Sequence, residues 1–169
     1  KRKIYKSSQI ITKGKSNNKI IVFGEDEEVL PYKLANCCNP IPGDKIFGFT
    51  TVEDGIKIHK DDCPNSIQLR SNYAYRILDS RWVDREKIDF IATINVKGID
   101  RLGLINNVTK IISSQMHVNM RAININSDDG VFEGEITLFV HNVTVLNTLT
   151  EKLKNVDGIT KIKRIYKHI

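Results

Sequence analysis

Apolar positions in the second half of this chain switch between a spacing of two and helical spacing. Phe90, Ala92, Ile94 and Val96 alternate with polar neighbours and predict a strand with one buried side. Gly98, Ile99, Asp100 and Arg101 read as a turn, and Leu104, Val108, Ile111 and Ile112 then recur at helical spacing. Residues 118–126 return to a strand pattern, and Ser127, Asp128, Asp129 and Gly130 form a hairpin turn. Phe132, Ile136, Leu138 and Val140 mark a third strand over residues 131–141. Leu146, Leu149 and Leu153 define a second helix that stops before Gly158, and residues 159–166 close with a fourth strand. The order βαββαβ predicts a ferredoxin-like domain over residues 88–169.

The first half is less regular. Residues 20–23 read as a short strand, the run 24–28 as a turn, and residues 32–35 lead into Cys37 and Cys38. Asn39, Pro40, Ile41, Pro42, Gly43 and Asp44 predict a turn, because each proline lacks a donor and disfavours helix just before it. Residues 45–50 and 56–59 then predict two strands joined through Glu53, Asp54 and Gly55. Pro64 suits the first position of a helix carrying Ile67 and Leu69, which would set Cys63 near its N-cap. Ile77, Leu78 and Trp82 supply a last strand. Together these predict an α+β class: a small cysteine-containing α+β module over residues 20–82, a charged linker over 83–87, and the βαββαβ domain.

Residues 1–19 lack periodicity, and the first twenty residues hold seven of the lysines and arginines and no acid. The whole chain carries a formal charge of +6, so this basic arm suggests a polyanionic partner, with a solvated tail as the plain alternative. No apolar run is long enough to span a membrane, and no apolar segment near the start suggests export. Three cysteines without an export signal fit reduced thiols in a cytoplasm. A first residue other than Met suggests a piece of a longer protein.

The candidate chemistry is concentrated between residues 37 and 63. Cys37, Cys38, His59 and Cys63 are two close pairs of soft ligands, and a closed set of four would suit a structural metal, zinc above all. His59 and Cys63 lie four apart, which would bring them together on one helical turn. Cys37 and Cys38 are adjacent, so both reach one ion only if the backbone bends there. The alternatives are a buried thiol–imidazole core, or redox chemistry in which a helix N-terminus activates Cys63 and a disulfide forms with the vicinal pair. Hydrolysis finds no third orienting group and no oxyanion loop.

In the second domain, Ile99, Asp100, Arg101, Leu102, Gly103 and Leu104 lie where the first strand passes into the first helix. A glycine there admits a close ligand, and free helix N–H groups can hold a carboxylate. The plain alternative is that Asp100 caps the helix. Phe47, Phe49, Tyr73 and Tyr75 are candidates for stacking on unpaired bases if exposed, and for core packing if not.

The runs Leu34-Ala35-Asn36-Cys37-Cys38-Asn39-Pro40-Ile41-Pro42-Gly43-Asp44, Gly48-Phe49-Thr50 and His59-Lys60-Asp61-Asp62-Cys63-Pro64-Asn65 closely resemble the C-terminal region of long Rel/Spo proteins. These are the (p)ppGpp synthetase/hydrolases of the bacterial stringent response. The βαββαβ half, with Asp100-Arg101-Leu102-Gly103-Leu104, is similar to the ACT domain that ends them. The resemblance implies a zinc-finger-like module with Cys37, Cys38, His59 and Cys63 as its ligands. It also implies contact with the ribosome and tRNA, and restraint or release of catalytic domains that this chain does not contain. An ACT domain further implies dimerisation or the sensing of a branched-chain amino acid at residues 99–104. On this reading the chain itself is not an enzyme, while its parent is a GTP diphosphokinase or (p)ppGpp hydrolase. Many ACT ligand loops carry Pro or a small residue where Leu102 stands.

Overall fold

The computed structural model describes residues 20–28, 30–83 and 88–166. The expected basic arm, most of the expected linker and the last three residues lie outside the described residues. The chain divides into two compact units, one made of the residues up to Ile88 together with those from Tyr166 on, and one covering Asp89–Ile165.

The first unit is built on five strands: β1 (Ile21–Phe23), β2 (Tyr32–Leu34), β3 (Ile46–Thr50), β4 (Ile56–Lys60) and β5 (Ile77–Trp82), in the order β1-β5-β3-β4-β2. Gly55, at φ 73°, closes the β3–β4 hairpin, and Thr51 holds the turn through its Oγ1 on the Gly55 carbonyl at 2.7 Å. Phe47 pairs with His59 across that hairpin and Gly48 with Ile58. Gly48 is required because a Cβ there would lie 2.8 Å from the Ser80 hydroxyl of β5. β2 lies parallel to β4, a pairing between segments 22 residues apart or more that local pattern does not reveal. Ile21, Val22, Ile41 and Ile58 are almost completely buried and make the core of this unit.

The helix α1 spans Ser66–Asn72, followed by a 3-10 turn at Ala74–Arg76. This corrects the expected helix start: Pro64 precedes the N-cap Asn65, so Cys63 lies in a turn before the helix and not at its N-terminus. Ile67, expected on an apolar helix face, is 77% exposed.

The second unit contains β6 (Phe90–Ile99), α2 (Leu104–Thr109) continued by a π-helical stretch (Lys110–Gln115), β7 (Asn119–Asp128), β8 (Val131–Val140), α3 (Val143–Lys154) and β9 (Ile159–Ile165). Its sheet order is β7-β8-β6-β9, all antiparallel, so the expected βαββαβ class is observed. Phe90, Ala92, Ile94 and Val96 of β6, Phe132, Ile136, Leu138 and Val140 of β8, and Leu146, Leu149 and Leu153 of α3 are all buried. Asn142 caps α3 by accepting from the Val145 N–H at 2.9 Å. Two boundaries differ from pattern. β6 runs through Gly98 to Ile99, because both residues stay paired with β8. The first helix changes to π pitch after Thr109, with the Met116 N–H reaching the Ile111 carbonyl at 3.0 Å.

Candidate metal centre

Four side chains from three local devices meet in the first unit. After β2 the ladder to β4 continues for one residue, with the Ala35 N–H on the Ile58 carbonyl at 2.9 Å. The chain then makes one tight turn, in which the N–H groups of Cys38 and Asn39 both reach the Ala35 carbonyl, at 3.4 and 2.9 Å. Asn39 completes it at φ 38°, a region that asparagine tolerates better than most residues. This is the bend that adjacent cysteines need to face one point. Asp44 then holds the Pro40–Pro42 loop, its carboxylate accepting from the Ile41 N–H at 2.9 Å.

His59 comes from β4, its ring stacked on Phe47 of β3 with centroids 5.6 Å apart. Cys63 follows in the next turn, its N–H on the Lys60 carbonyl at 3.1 Å. His59 and Cys63 therefore meet across a strand end and a turn; the helical spacing expected for them is not what joins them.

The ligand atoms of Cys37, Cys38, His59 and Cys63 lie within 4.8 Å of one another. Cys37 Sγ is 3.5 Å from Cys63 Sγ and 3.9 Å from Cys38 Sγ. His59 Nδ1 is 3.4 Å from Cys37 Sγ, 3.8 Å from Cys63 Sγ and 4.0 Å from Cys38 Sγ. Tetrahedral zinc with ordinary bond lengths separates two sulfurs by ~3.8 Å and sulfur from nitrogen by ~3.6 Å. The five distances straddle those values. Three thiols and an imidazole gathered within 4.8 Å are a donor set that suits a zinc ion, and a complete set of four would leave no open position for catalysis.

Electrostatics favour the same assignment. Cys38, Cys63 and His59 are buried, and Cys37 is half-buried. Burial pushes the Cys38 thiol up, and burial together with the Cys63 thiol pushes Cys37 up. Burial, helped by the Lys57 ammonium, pushes His59 down to about 4. These shifts keep the Cys37 and Cys38 thiols and the His59 imidazole neutral, and a divalent cation bound there would offset the cost of burying thiolates. Two groups outside the sequence reading support the sulfurs: the Lys60 N–H lies on Cys38 Sγ at 3.3 Å, and the Asn65 side chain bonds Cys37. A backbone donor has no sequence signature.

The aromatic candidates separate by exposure. Phe47 and Phe49 are buried at 2% and 8%, whereas Tyr73 and Tyr75 are 40% and 79% exposed. The Arg76 guanidinium lies 5.4 Å from the Tyr73 ring centroid and 5.6 Å from that of Tyr75.

In the second unit, residues 99–104 remain contiguous but converge on no buried polar group among the described residues. Asp100 accepts from the Ser127 hydroxyl at 2.6 Å, its N–H donates to Gly130, and Arg101 pairs with Asp157 at 3.2 Å. Leu102 projects fully into solvent, and Leu104 is buried. The helix cap is Gly103 at φ 82°, with no side-chain cap, so Asp100 does not cap it. An open cleft of about 430 Å³ lies nearby between Lys97, Asn126, Asp128 and Glu133, but none of the residues 99–104 lines it.

The RelA/SpoT RIS domain family model matches residues 20–83, and the ACT domain family model matches residues 86–164. The cysteine module and the ferredoxin-like unit are therefore a RIS domain followed by an ACT domain. GTP pyrophosphokinase of Escherichia coli K12 is 31% identical over 156 residues, which cover 91% of this chain and 21% of the relative. GTP pyrophosphokinase of Streptomyces coelicolor is 34% identical over 134 residues, 79% of this chain and 16% of the relative. The bifunctional (p)ppGpp synthase/hydrolase RelA of Mycobacterium tuberculosis is 32% identical over 133 residues, 79% and 18%. A crystal structure of the ACT domain from GTP pyrophosphokinase of Chlorobium tepidum shares 38% identity, covers 46% of this chain and 99% of that one, and gives a TM-score of 0.42. The chain belongs to the Rel/Spo family and corresponds to its C-terminal RIS–ACT region. It spans about a fifth of the length of the curated relatives it matches.

Proposed function

We propose that this chain is the non-enzymatic control region of a longer (p)ppGpp synthetase/hydrolase of the stringent response. Its RIS domain carries zinc on Cys37, Cys38, His59 and Cys63, and the region contacts the ribosome and tRNA in the cytoplasm to govern the catalytic domains. The observation that carries this reading is the convergence of the four ligand atoms within 4.8 Å inside a RIS match. The zinc would act as a clamp: it ties the turn at residues 35–39 to the end of β4, giving a small unit the rigidity that its apolar core cannot supply alone. The exposed Tyr75 and the Arg76 guanidinium support the RNA contact, since an aromatic face and a cation together suit an unpaired base and its phosphate.

The test is co-sedimentation of the chain with ribosomes as salt is raised. Binding should fall steeply, because counterion release drives phosphate contacts, and Tyr75→Ala should weaken it by about 1–3 kcal/mol. Absence of binding in low salt, or indifference to salt, rejects the reading. Contaminant-free chain should also neither make nor hydrolyse (p)ppGpp.

A second reading, an ACT module that dimerises or senses an amino acid, is favoured by the position of β7 at the sheet edge, with Ile123 41% exposed. A branched-chain amino acid would then meet residues 99–104. Calorimetric titration, with the oligomeric state measured in the same buffer, decides between self-association and ligand binding.

A further inference from the structure

The three thiols of the cluster are not equivalent. Cys38 and Cys63 are 0% and 3% exposed, and only Cys37 is reachable by a small solute. Its sulfur lies closer to Cys63, at 3.5 Å, than to its neighbour Cys38, at 3.9 Å. Both Cys37 and Cys63 sit in turns, not in paired strands, so their side chains can approach without opening the sheet. A disulfide between the adjacent Cys37 and Cys38 would instead close a small strained ring within the turn that sets both residues.

We propose that Cys37 and Cys63 form a peroxide-modifiable pair, whose oxidation to a disulfide dismantles the four-ligand site. The Cys37 sulfur attacks one oxygen of hydrogen peroxide and gives up its proton; the O–O bond breaks, water leaves, and a sulfenic acid forms. The Cys63 sulfur then attacks that sulfur and gives up its proton, the S–S bond forms, and the S–O bond breaks with release of a second water. Two thiols lose two electrons and two protons in all, and one peroxide becomes two waters. What remains is Cys38 and His59, two ligands where structural zinc needs four. The consequence for metal rests on the zinc reading above; the pairing of the sulfurs does not.

Hydrogen peroxide titration of the intact 169-residue chain at neutral pH tests this, with products mapped by peptide mass spectrometry and released zinc followed with a chromogenic chelator. The expected product is a Cys37–Cys63 disulfide, with Cys38 modified at least tenfold more slowly than Cys37, zinc released one for one with the bond, and recovery under dithiothreitol. Cys63→Ser should replace the disulfide by a Cys37 sulfenic acid that dimedone traps. A Cys37–Cys38 disulfide as the main product overturns the proposal, as does first modification at Cys38 or Cys63. So does resistance of the folded chain at peroxide levels that oxidise the unfolded one. If the purified chain carries no zinc yet forms the Cys37–Cys63 bond, the zinc reading fails and the pairing stands.

Discussion

Replacing Gly98 by Ala isolates a contact that no residue pattern announces. In an open strand this change would stabilise by about 0.5–1 kcal/mol, because alanine loses less conformational freedom on folding than glycine does. Here the new Cβ would lie 1.8 Å from the Gly158 carbonyl oxygen and 2.8 Å from the Phe132 ring. An ordinary C···O contact is ~3.3 Å, so the backbone at Gly158 must retreat by roughly 1.5 Å. That oxygen also accepts the Ile99 N–H at 2.8 Å, a bond the retreat breaks. Losing the bond costs about 1 kcal/mol, and overpacking against backbone adds about 1–3 kcal/mol. Less the propensity gain, the net loss is roughly 1–3.5 kcal/mol. Hydrogen exchange on the amides of β6 and β8 reads it as a fall in opening free energy of that size. Gly103→Ala is the control: nothing lies within 4 Å of its Cβ, so only the strain of φ 82° remains, about 1–2 kcal/mol. A Gly98→Ala chain as protected as the native one would refute the reasoning.

Elemental analysis of chain purified without added metal should give about one zinc, and a chelator should unfold the RIS domain while sparing the ACT domain. Trp82, the only tryptophan and bonded to the Asp44 carbonyl at 3.0 Å, reports that loss by fluorescence; an unchanged signal with zinc below half an equivalent rejects the metal. Limited proteolysis should cut within residues 83–87 before it cuts within 88–166. The Lys33 and Lys57 ammoniums hold the Asp54 carboxyl down to about 2, so their stabilisation is present above about pH 4 and is lost as pH falls through about 2. An Asp54 carboxyl that titrates near pH 4 by NMR removes that assignment, and Asp54→Asn should change stability little because the pairs are exposed.

The ACT half was legible because its information is local. Each strand buries alternate residues and α3 buries Leu146, Leu149 and Leu153, so a period of two or of about 3.6 is written directly into the chain. The four cluster residues were legible as chemistry, since thiols and imidazole in a short span have few other uses. Their geometry was not. Spacing suggested that a helical turn joins His59 to Cys63, whereas tertiary pairing of β3 with β4 and a turn after Lys60 bring them together. The parallel β2–β4 pair, the Lys60 N–H on Cys38 and the Gly98–Gly158 contact were likewise decided by the fold alone. Sequence determines which side chain each residue offers and which face it must bury. Backbone hydrogen bonds are made by groups that every residue shares, so which distant segments they join is settled only when the whole sheet assembles.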